Sequence, residues 1–257
     1  TLDGIIHGAT NQIYQNAEEF YRAENGHAIG YFWGYKTAGI FQSQQDINNW
    51  IAAGNGVLQS NVQPGDVKYV DVNHDGAINA NDKVDLGNGL PKYTFGFNFT
   101  LGYKGFDLSA NFTGAAGFQI AQSYRDPSGS QGNYSHRILG RWTGEGTTNE
   151  MPRVTYGDVG NWLFSDLYLQ DGDYIRLQNL TLGYDFKKLI SWKGLSKLRL
   201  YFQVQNLFTL TKYDGMDPEI GSYNGTDGNS SDSWVSGVDM GYYPHPRTFI
   251  VGVNVAF

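Results

Sequence analysis

The segment Asp71–Asp82, DVNHDGAINAND, sets oxygen-bearing side chains at alternate positions around a glycine. Asp71, Asn73 and Asp75 stand at positions 1, 3 and 5 of an EF-hand-type calcium loop, and Gly76 takes the sharp-turn position 6. Ala77 offers its carbonyl at position 7, Asn79 falls at 9 and Asp82 at 12. Calcium needs six to eight hard oxygens, which side chains at every second residue of a tight turn deliver. The expected ligands are Asp71, Asn73, Asp75, Ala77 through its carbonyl, and Asp82. Aspartate at position 12 reaches less far than the usual glutamate. Ile78 is expected to anchor the loop and His74 to face solvent. The flank Val67–Val70 reads as extended rather than helical, so an Asx-rich turn held by its own side-chain to backbone bonds is the competing reading.

Other chemistry-bearing residues are sparser. Trp33, Trp142, Trp162 and Trp234 are candidates for contact with a substrate or a covering partner. Tyr31, Phe32, Trp33 and Tyr35 cluster, either to stack on sugar rings or to fill a loop core. Asp214, Asp217 and Glu219 read as a solvated charged loop. His7, His27, His136 and His245 are scattered and repeat no metal-ligand spacing. No Ser-His-Asp order, nucleophile elbow or phosphate loop occurs, so no catalytic residue is assigned and the chain is not expected to be an enzyme.

The elements that must position these residues are strands. In Tyr93–Tyr103, YTFGFNFTLGY, the odd positions are Tyr, Phe, Phe, Phe, Leu and Tyr, and the even ones Thr, Gly, Asn, Thr and Gly. That unbroken period of 2 marks a strand with one apolar face. Tyrosine at both ends with phenylalanine between suits a membrane-spanning strand, with amphipathic rings at each interface. Ten steps of ~3.3 Å at a tilt of ~40–45° project to roughly 24 Å, close to the apolar band of an outer-membrane barrel. On this reading Tyr93, Phe95, Phe97, Phe99 and Leu101 meet lipid, while Asn98 and Thr100 meet a watery lumen. Lys104-Gly105 is a two-residue hairpin link to a second strand, Phe106–Thr113. Further strands are expected at Tyr174–Phe186, where the apolar parity slips near Asn179 as at a bulge, at Leu198–Leu210, and at Phe249–Phe257.

With the last strand running toward the periplasm, the short links Lys104-Gly105 and Lys187–Lys197 fall on one side. The long links, about 114–173 and 211–247, fall on the other, extracellular side. A soluble sandwich has no reason to segregate loop lengths in this way. Composition agrees: net charge −7 argues against nucleic acid, zero cysteine excludes thiolate metal sites, and 34 glycines with few charges exclude a coiled coil or a disordered tail. No apolar run approaches the ~18 residues of a spanning helix, which leaves a barrel open because its strands alternate. Five strands cannot close a barrel, and open edges are not tolerated in lipid. The chain is therefore expected either to be part of a longer barrel or to pair with another chain that completes one, and the missing initiator methionine favours the former.

Four stretches, GYFWGYKTAGIF (30–41), PGDVKYVDVNHDGAINAND (64–82) with the hairpin to residue 117, DGDYIRLQNLTLGY (171–184) with LRLYFQVQNLF (198–208), and Pro246–Phe257, together resemble the C-terminal part of SusC/RagA-type TonB-linked outer-membrane transporters of the Bacteroidetes. The resemblance spans most of residues 1–257. It implies an all-β fold: the C-terminal strands of a 22-stranded antiparallel transmembrane β-barrel with long extracellular loops, the calcium loop 71–82 among them. The plug and the TonB-interacting segment of the family have no counterpart here. The resemblance further implies an outer-membrane location and TonB-dependent import of glycan oligosaccharides or peptides. Its implied partners are the rest of the transporter and a SusD-like surface lipoprotein serving as lid. The rival expectations are a secreted calcium-stabilised β-sandwich that binds carbohydrate, and a β-rich glycoside hydrolase.

Overall fold

A computed structural model describes residues 4, 6–8, 19–122, 136–155, 160–221 and 236–257. Its elements in chain order are β1 (Ile6–Gly8), β2 (Tyr21–Ala23), β3 (Tyr31–Tyr35), β4 (Thr37–Ile40), α1 (Gln44–Ala52), β5 (Val67–Tyr69) and β6 (Lys83–Asn88). There follow β7 (Tyr93–Tyr103), β8 (Phe106–Ala116), β9 (Gln119–Gln122), β10 (Leu169–Asp171), β11 (Tyr174–Asp185), β12 (Lys197–Thr211), β13 (Val238–Asp239) and β14 (Thr248–Ala256). The chain divides into two compact units.

One unit is an antiparallel five-stranded sheet in the order β14-β12-β11-β8-β7, so all five strands expected from the alternation lie in it. The β7–β8 link is Lys104-Gly105 with φ of 46° and 98°, two positive angles that match the twist of the flanking strands. The parity slip near Asn179 is a bulge. Between Leu177 and Asn179 the register shifts on both neighbours of β11, and on β12 Asn206 takes a φ of 51° opposite the slip. The extra residue restores Leu177 and Ile175 to the face of Leu180 and Leu182. β8 continues to Ala116, past the expected Thr113, because Gly114–Ala116 still pair with Phe95–Tyr93 although small residues end the visible alternation.

The other unit has a core of its own. Phe20, Tyr21, Phe32, Ala121, Phe164 and Val238 form one fully or nearly fully buried cluster. Tyr35, Ile40, Val67, Tyr69 and Ile78 form a second. The first is framed by the sheet β1-β2-β3-β6 and by the three-stranded sheet β10-β9-β13, and the second by the β4-β5 pair. Here the sequence expectation was incomplete: within the long links expected only as loops, β9, β10 and β13 form a sheet. These strands of two to four residues are too short to display a period.

Candidate functional site

In the five-stranded sheet, residues directly opposite across a ladder point to the same side. The ladders therefore extend the apolar face of β7 across every strand. Leu101, Leu108, Leu182, Phe202 and Val251 form one row, and Phe99, Ala110, Leu180, Val204 and Phe249 the next. This face is open: Phe97 is 59% and Val251 71% exposed. Within the unit no second sheet lies over it, which is where a soluble β-sandwich would bury its core.

The opposite face is polar or small along the same ladders, apart from Ile250 opposite Gln203. Thr100, Ser109, Thr181 and Gln203 make one row, and Asn98, Asn111, Asn179 and Gln205 another. The Gln203 amide donates to Asn179 Oδ1 at 3.1 Å. Arg199 Nε donates to Asp107 Oδ1 at 2.8 Å, reaching across β11 at Gly183. A Cβ on Gly183 would lie 2.5 Å from both groups, so the glycine is what lets the ion pair span three strands. Gly252 makes the same kind of room for the Tyr201 ring, which a Cβ would meet at 2.2 Å.

At the long-link end of this unit a charged cluster closes around Arg176. It is buried and donates to Thr209 Oγ1 at 3.0 Å, to Glu219 Oε2 at 2.9 Å and to Asp217. Asp217 also accepts the His245 backbone N–H at 3.1 Å, and the His245 ring lies 3.0 Å from the same carboxylate. Burial pushes the Asp217 carboxyl up, but the Glu219 and His245 N–H groups and the Arg176 guanidinium hold it below the usual carboxylate range. The expectation of a solvated acidic loop is corrected here: Asp217 is buried. The neutralising arginine lies forty-one residues away in sequence, so loop composition alone could not reveal it. Arg176 inside an otherwise apolar and neutral strand is the signal that could have.

In the other unit the Asp71–Asp82 loop is a tight turn held by side-chain to backbone hydrogen bonds. Gly76 has a φ of 81°, the left-handed turn expected at position 6. Asp71 Oδ2 accepts the Gly76 N–H at 2.7 Å, and Asp75 Oδ1 that of Ala77 at 2.9 Å. The two oxygens of Asp82 accept Val72 N at 2.9 Å and Asn79 N at 2.8 Å, drawing the two ends of the loop together. Asp71 is 1% and Asp82 0% exposed, whereas Asn73, Asp75 and Ala77 are exposed. The Ala77 N–H and the Asn73 amide hold the Asp75 carboxyl below its usual range. Ile78 sits in the second core cluster and His74 faces solvent, both as expected. Gly56 lets the loop approach backbone to backbone: a Cβ there would lie 2.9 Å from Ala77 Cα and Ile78 N. Among the described residues, the group bringing three metal-capable acidic or histidine side chains within 4.8 Å is Asp217, Glu219 and His245, not the aspartates of this loop.

Trp33, Trp142 and Trp162 are set into this unit's packing. Trp33 is half-buried with the Arg22 guanidinium 3.7 Å from its ring, while Tyr31, Phe32 and Tyr35 beside it are buried, as a loop core requires. Trp142 packs on the second cluster and donates to Gln42 Oε1 at 3.3 Å, and Trp162 packs on the first. Trp234 lies outside the described residues.

No protein-family model matches the chain. It is 33% identical over 257 residues to TonB-dependent receptor P3 of Formosa agariphila, covering 99% of this chain and 24% of that protein. To TonB-dependent receptor SusC of Bacteroides thetaiotaomicron it is 27% identical over 205 residues, covering 78% of this chain and 18% of that protein. Its fold resembles that of the RagAB peptide importer in the open-open state, with a TM-score of 0.63, 19% identity, and coverage of 95% of this chain and 24% of that one. The chain thus spans about a quarter of the length of the curated relatives it matches first. Over nearly its whole length, the chain is homologous to a segment of TonB-dependent receptors of the SusC/RagA type.

Proposed function

We propose that this chain is a barrel segment of an outer-membrane nutrient importer. The observation that carries the reading is an apolar face that crosses all five strands and exposes most of its large side chains, backed by a face that is polar or small except at Ile250. Water is a poor solvent for the first and lipid for the second, so the sheet fits a wall between a bilayer and an aqueous lumen. Its outer strands β7 and β14 have open edges, which further strands of the same receptor would pair. The homologous receptors support TonB-dependent uptake, with the TonB-binding and plug parts contributed by the remainder of the protein. A SusD-like surface lipoprotein over the long-link side is the expected lid. The cargo is an oligomer, a glycan or a peptide. Trp33, Trp142, Trp162 and Trp234 are the aromatic candidates for touching it or the lid.

The Asp71–Asp82 loop is proposed to hold calcium in a structural role on the extracellular side. Asp71 and Asp82 are buried anions whose described partners are neutral N–H groups, and buried charges are ordinarily paired or bound to metal. Asn73, Asp75 and the Ala77 carbonyl add the hard oxygens calcium favours.

The test of transport uses the intact receptor. A strain relying on it should lose growth on the oligomeric cargo, and keep growth on the monomer, when the receptor gene is deleted or TonB is disabled. Unchanged growth on glycan and peptide oligomers after deletion would sink the import reading.

A further inference from the structure

Half of the chain's lysines, Lys104, Lys187, Lys188, Lys193 and Lys197, lie at the short-link end of the five-stranded sheet. The turn between β11 and β12 that carries most of them is built, not loose. Asp185 caps a single 3-10 turn, Phe186–Leu189, through the Lys187 N–H at 3.0 Å, and the buried Leu195 pins the return. The Ser196 N–H donates to Ala256 O at 2.8 Å and the Asp185 N–H to Gly105 O at 2.8 Å, tying both neighbouring strands to the turn. Lys187 folds inward, its ammonium donating to Trp192 O at 2.7 Å and Ile190 O at 3.3 Å. Lys104, Lys188 and Lys193 are exposed and form no ion pair among the described residues, whereas Lys197 shares the polar face with Arg199, where its charge acts on Asp107. The acids at this end are already engaged: Asp107 pairs with Arg199, and Asp185 caps the turn.

Around these three charges stand exposed apolar groups: Tyr103, Phe106, Leu189, Trp192 and Phe257, with the Trp192 and Phe257 rings in edge contact at 6.4 Å. Aromatic rings at the rim of an apolar face lie at headgroup depth, and lysines beside them reach into the headgroup layer. The long-link end of the same unit differs. There Asp171, Asp173, Asp214, Asp217 and Glu219 accompany Lys92, Arg176, Lys212 and Arg247, so the balance is acidic.

We infer that the short-link end of the sheet is a docking surface for anionic phospholipid headgroups, with Lys104, Lys188 and Lys193 meeting the phosphates and Trp192 and Phe257 seated among the upper acyl chains. The inference rests on the barrel reading above. Charge complementarity selects the lipid: three unneutralised ammonium groups on a rigid rim favour an anionic headgroup over a zwitterionic one, by roughly fivefold per lysine.

The intact receptor is reconstituted in phosphatidylcholine nanodiscs doped with phosphatidylglycerol, and the lipid retained after extraction is read by native mass spectrometry. The expected result is enrichment of phosphatidylglycerol, falling at least about tenfold in the combined K104Q/K188Q/K193Q variant and on raising salt, and unchanged in K92Q/K212Q at the other end. If the combined variant does not assemble, K104Q and the pair K188Q/K193Q are read separately, each with a partial loss. Unaltered enrichment in the lysine variants overturns the inference. So does displacement by inorganic phosphate as effective as by lipid, which would mark a simple anion site. A receptor that enters nanodiscs and retains no anionic lipid defeats only this inference, whereas one that never inserts defeats the barrel reading as well.

Discussion

Phenylalanine and tyrosine are used in opposite ways by the two compact units. In one, Phe20, Tyr21 and Phe32 are wholly buried among one another and beside Phe164, whose ring lies 5.1 Å from that of Phe20. In the other, Tyr93, Phe97, Tyr103 and Phe249 stand out from the sheet. The residue types are the same and the period differs: clustered in YFWGY, strictly alternating in YTFGFNFTLGY. Burying such a side chain contributes roughly 1.5–3 kcal/mol wherever the apolar surroundings come from. The first unit supplies those surroundings from its own chain, while the sheet must obtain them from outside. Left in water, its face would be a continuous apolar patch of the kind soluble monomers avoid.

The contrast is broken most strongly through the polar centre of the self-contained unit. Asp66 is fully buried and accepts Arg153 Nε at 2.6 Å, Asn161 Nδ2 at 2.8 Å and Gln63 N at 2.8 Å. Asn161 in turn accepts Val67 N at 3.0 Å and Gln59 Nε2 at 3.1 Å, so one network ties β5 to two distant loops. Asp66→Ala strands a guanidinium and several donors and should cost about 3–5 kcal/mol, read as new protease cleavage in this unit of the intact receptor. Heat-modifiability of the barrel should be retained. Loss of barrel assembly in the same variant would show that the two units do not depend on separate sources of stability.

The sheet should answer to a different probe. Phe97→Arg places a charge near the middle of the lipid face and should cost ~2–4 kcal/mol, while Asn98→Arg on the polar face should be mild. Folding titrations of the intact receptor into detergent or liposomes measure both. Equal tolerance at these adjacent positions would mean that the apolar face does not meet lipid.

The sheet was legible because a spanning strand obeys one rule over its full length. Five strands and the slip at Asn179 follow from period 2, and their directions from the lengths of the links between them. β9 and β13 were not legible because Gln119–Gln122 and Val238–Asp239 are too short for any period, and their pairing is parallel between distant segments. Asp71–Asp82 was legible as a turn because its side chains bond the loop's own backbone, so its geometry is local. Asp217 was not, because its burial depends on Arg176 and His245 arriving from elsewhere in the chain. Local hydrogen bonding and long alternation can be read from sequence, whereas packing assembled from remote pieces cannot.

The comparison can be sharpened at the loop with the two buried aspartates. If calcium holds it, chelation should destabilise the self-contained unit and leave the sheet untouched. With the ion present at about a hundred times its Kd, the loss is roughly 2.7 kcal/mol. Limited proteolysis of the intact receptor should then show cleavage within residues 71–82 only after chelator, and Asp71→Asn should mimic chelation. A loop equally protected with and without chelator, and no calcium-dependent terbium luminescence, would leave the Asx-turn reading in place.

The smallest expected effect is the acid response of the Arg176 cluster, which belongs to the sheet unit but lies past the end of β12. Burial alone would raise the Asp217 carboxyl, yet the Glu219 and His245 N–H groups and the Arg176 guanidinium prevail, and it is held below its ordinary 3.8. A carboxyl depressed in the folded state adds stability that is fully present above its unfolded value and is lost as pH falls through the folded one. The groups facing it are Arg176, Glu219 and His245, all within this unit. Asp217→Asn cannot ionise, so it should be less stable than the parent at neutral pH. The gap should close as the medium is acidified below the ordinary carboxylate range, because the parent then loses what the variant never had. Thermal unfolding of the intact receptor in detergent across that range measures the gap. A gap that stays constant with pH would mean that Asp217 titrates alike in both states, and that its bonds to Arg176 and His245 position the loop without storing acid-sensitive stability.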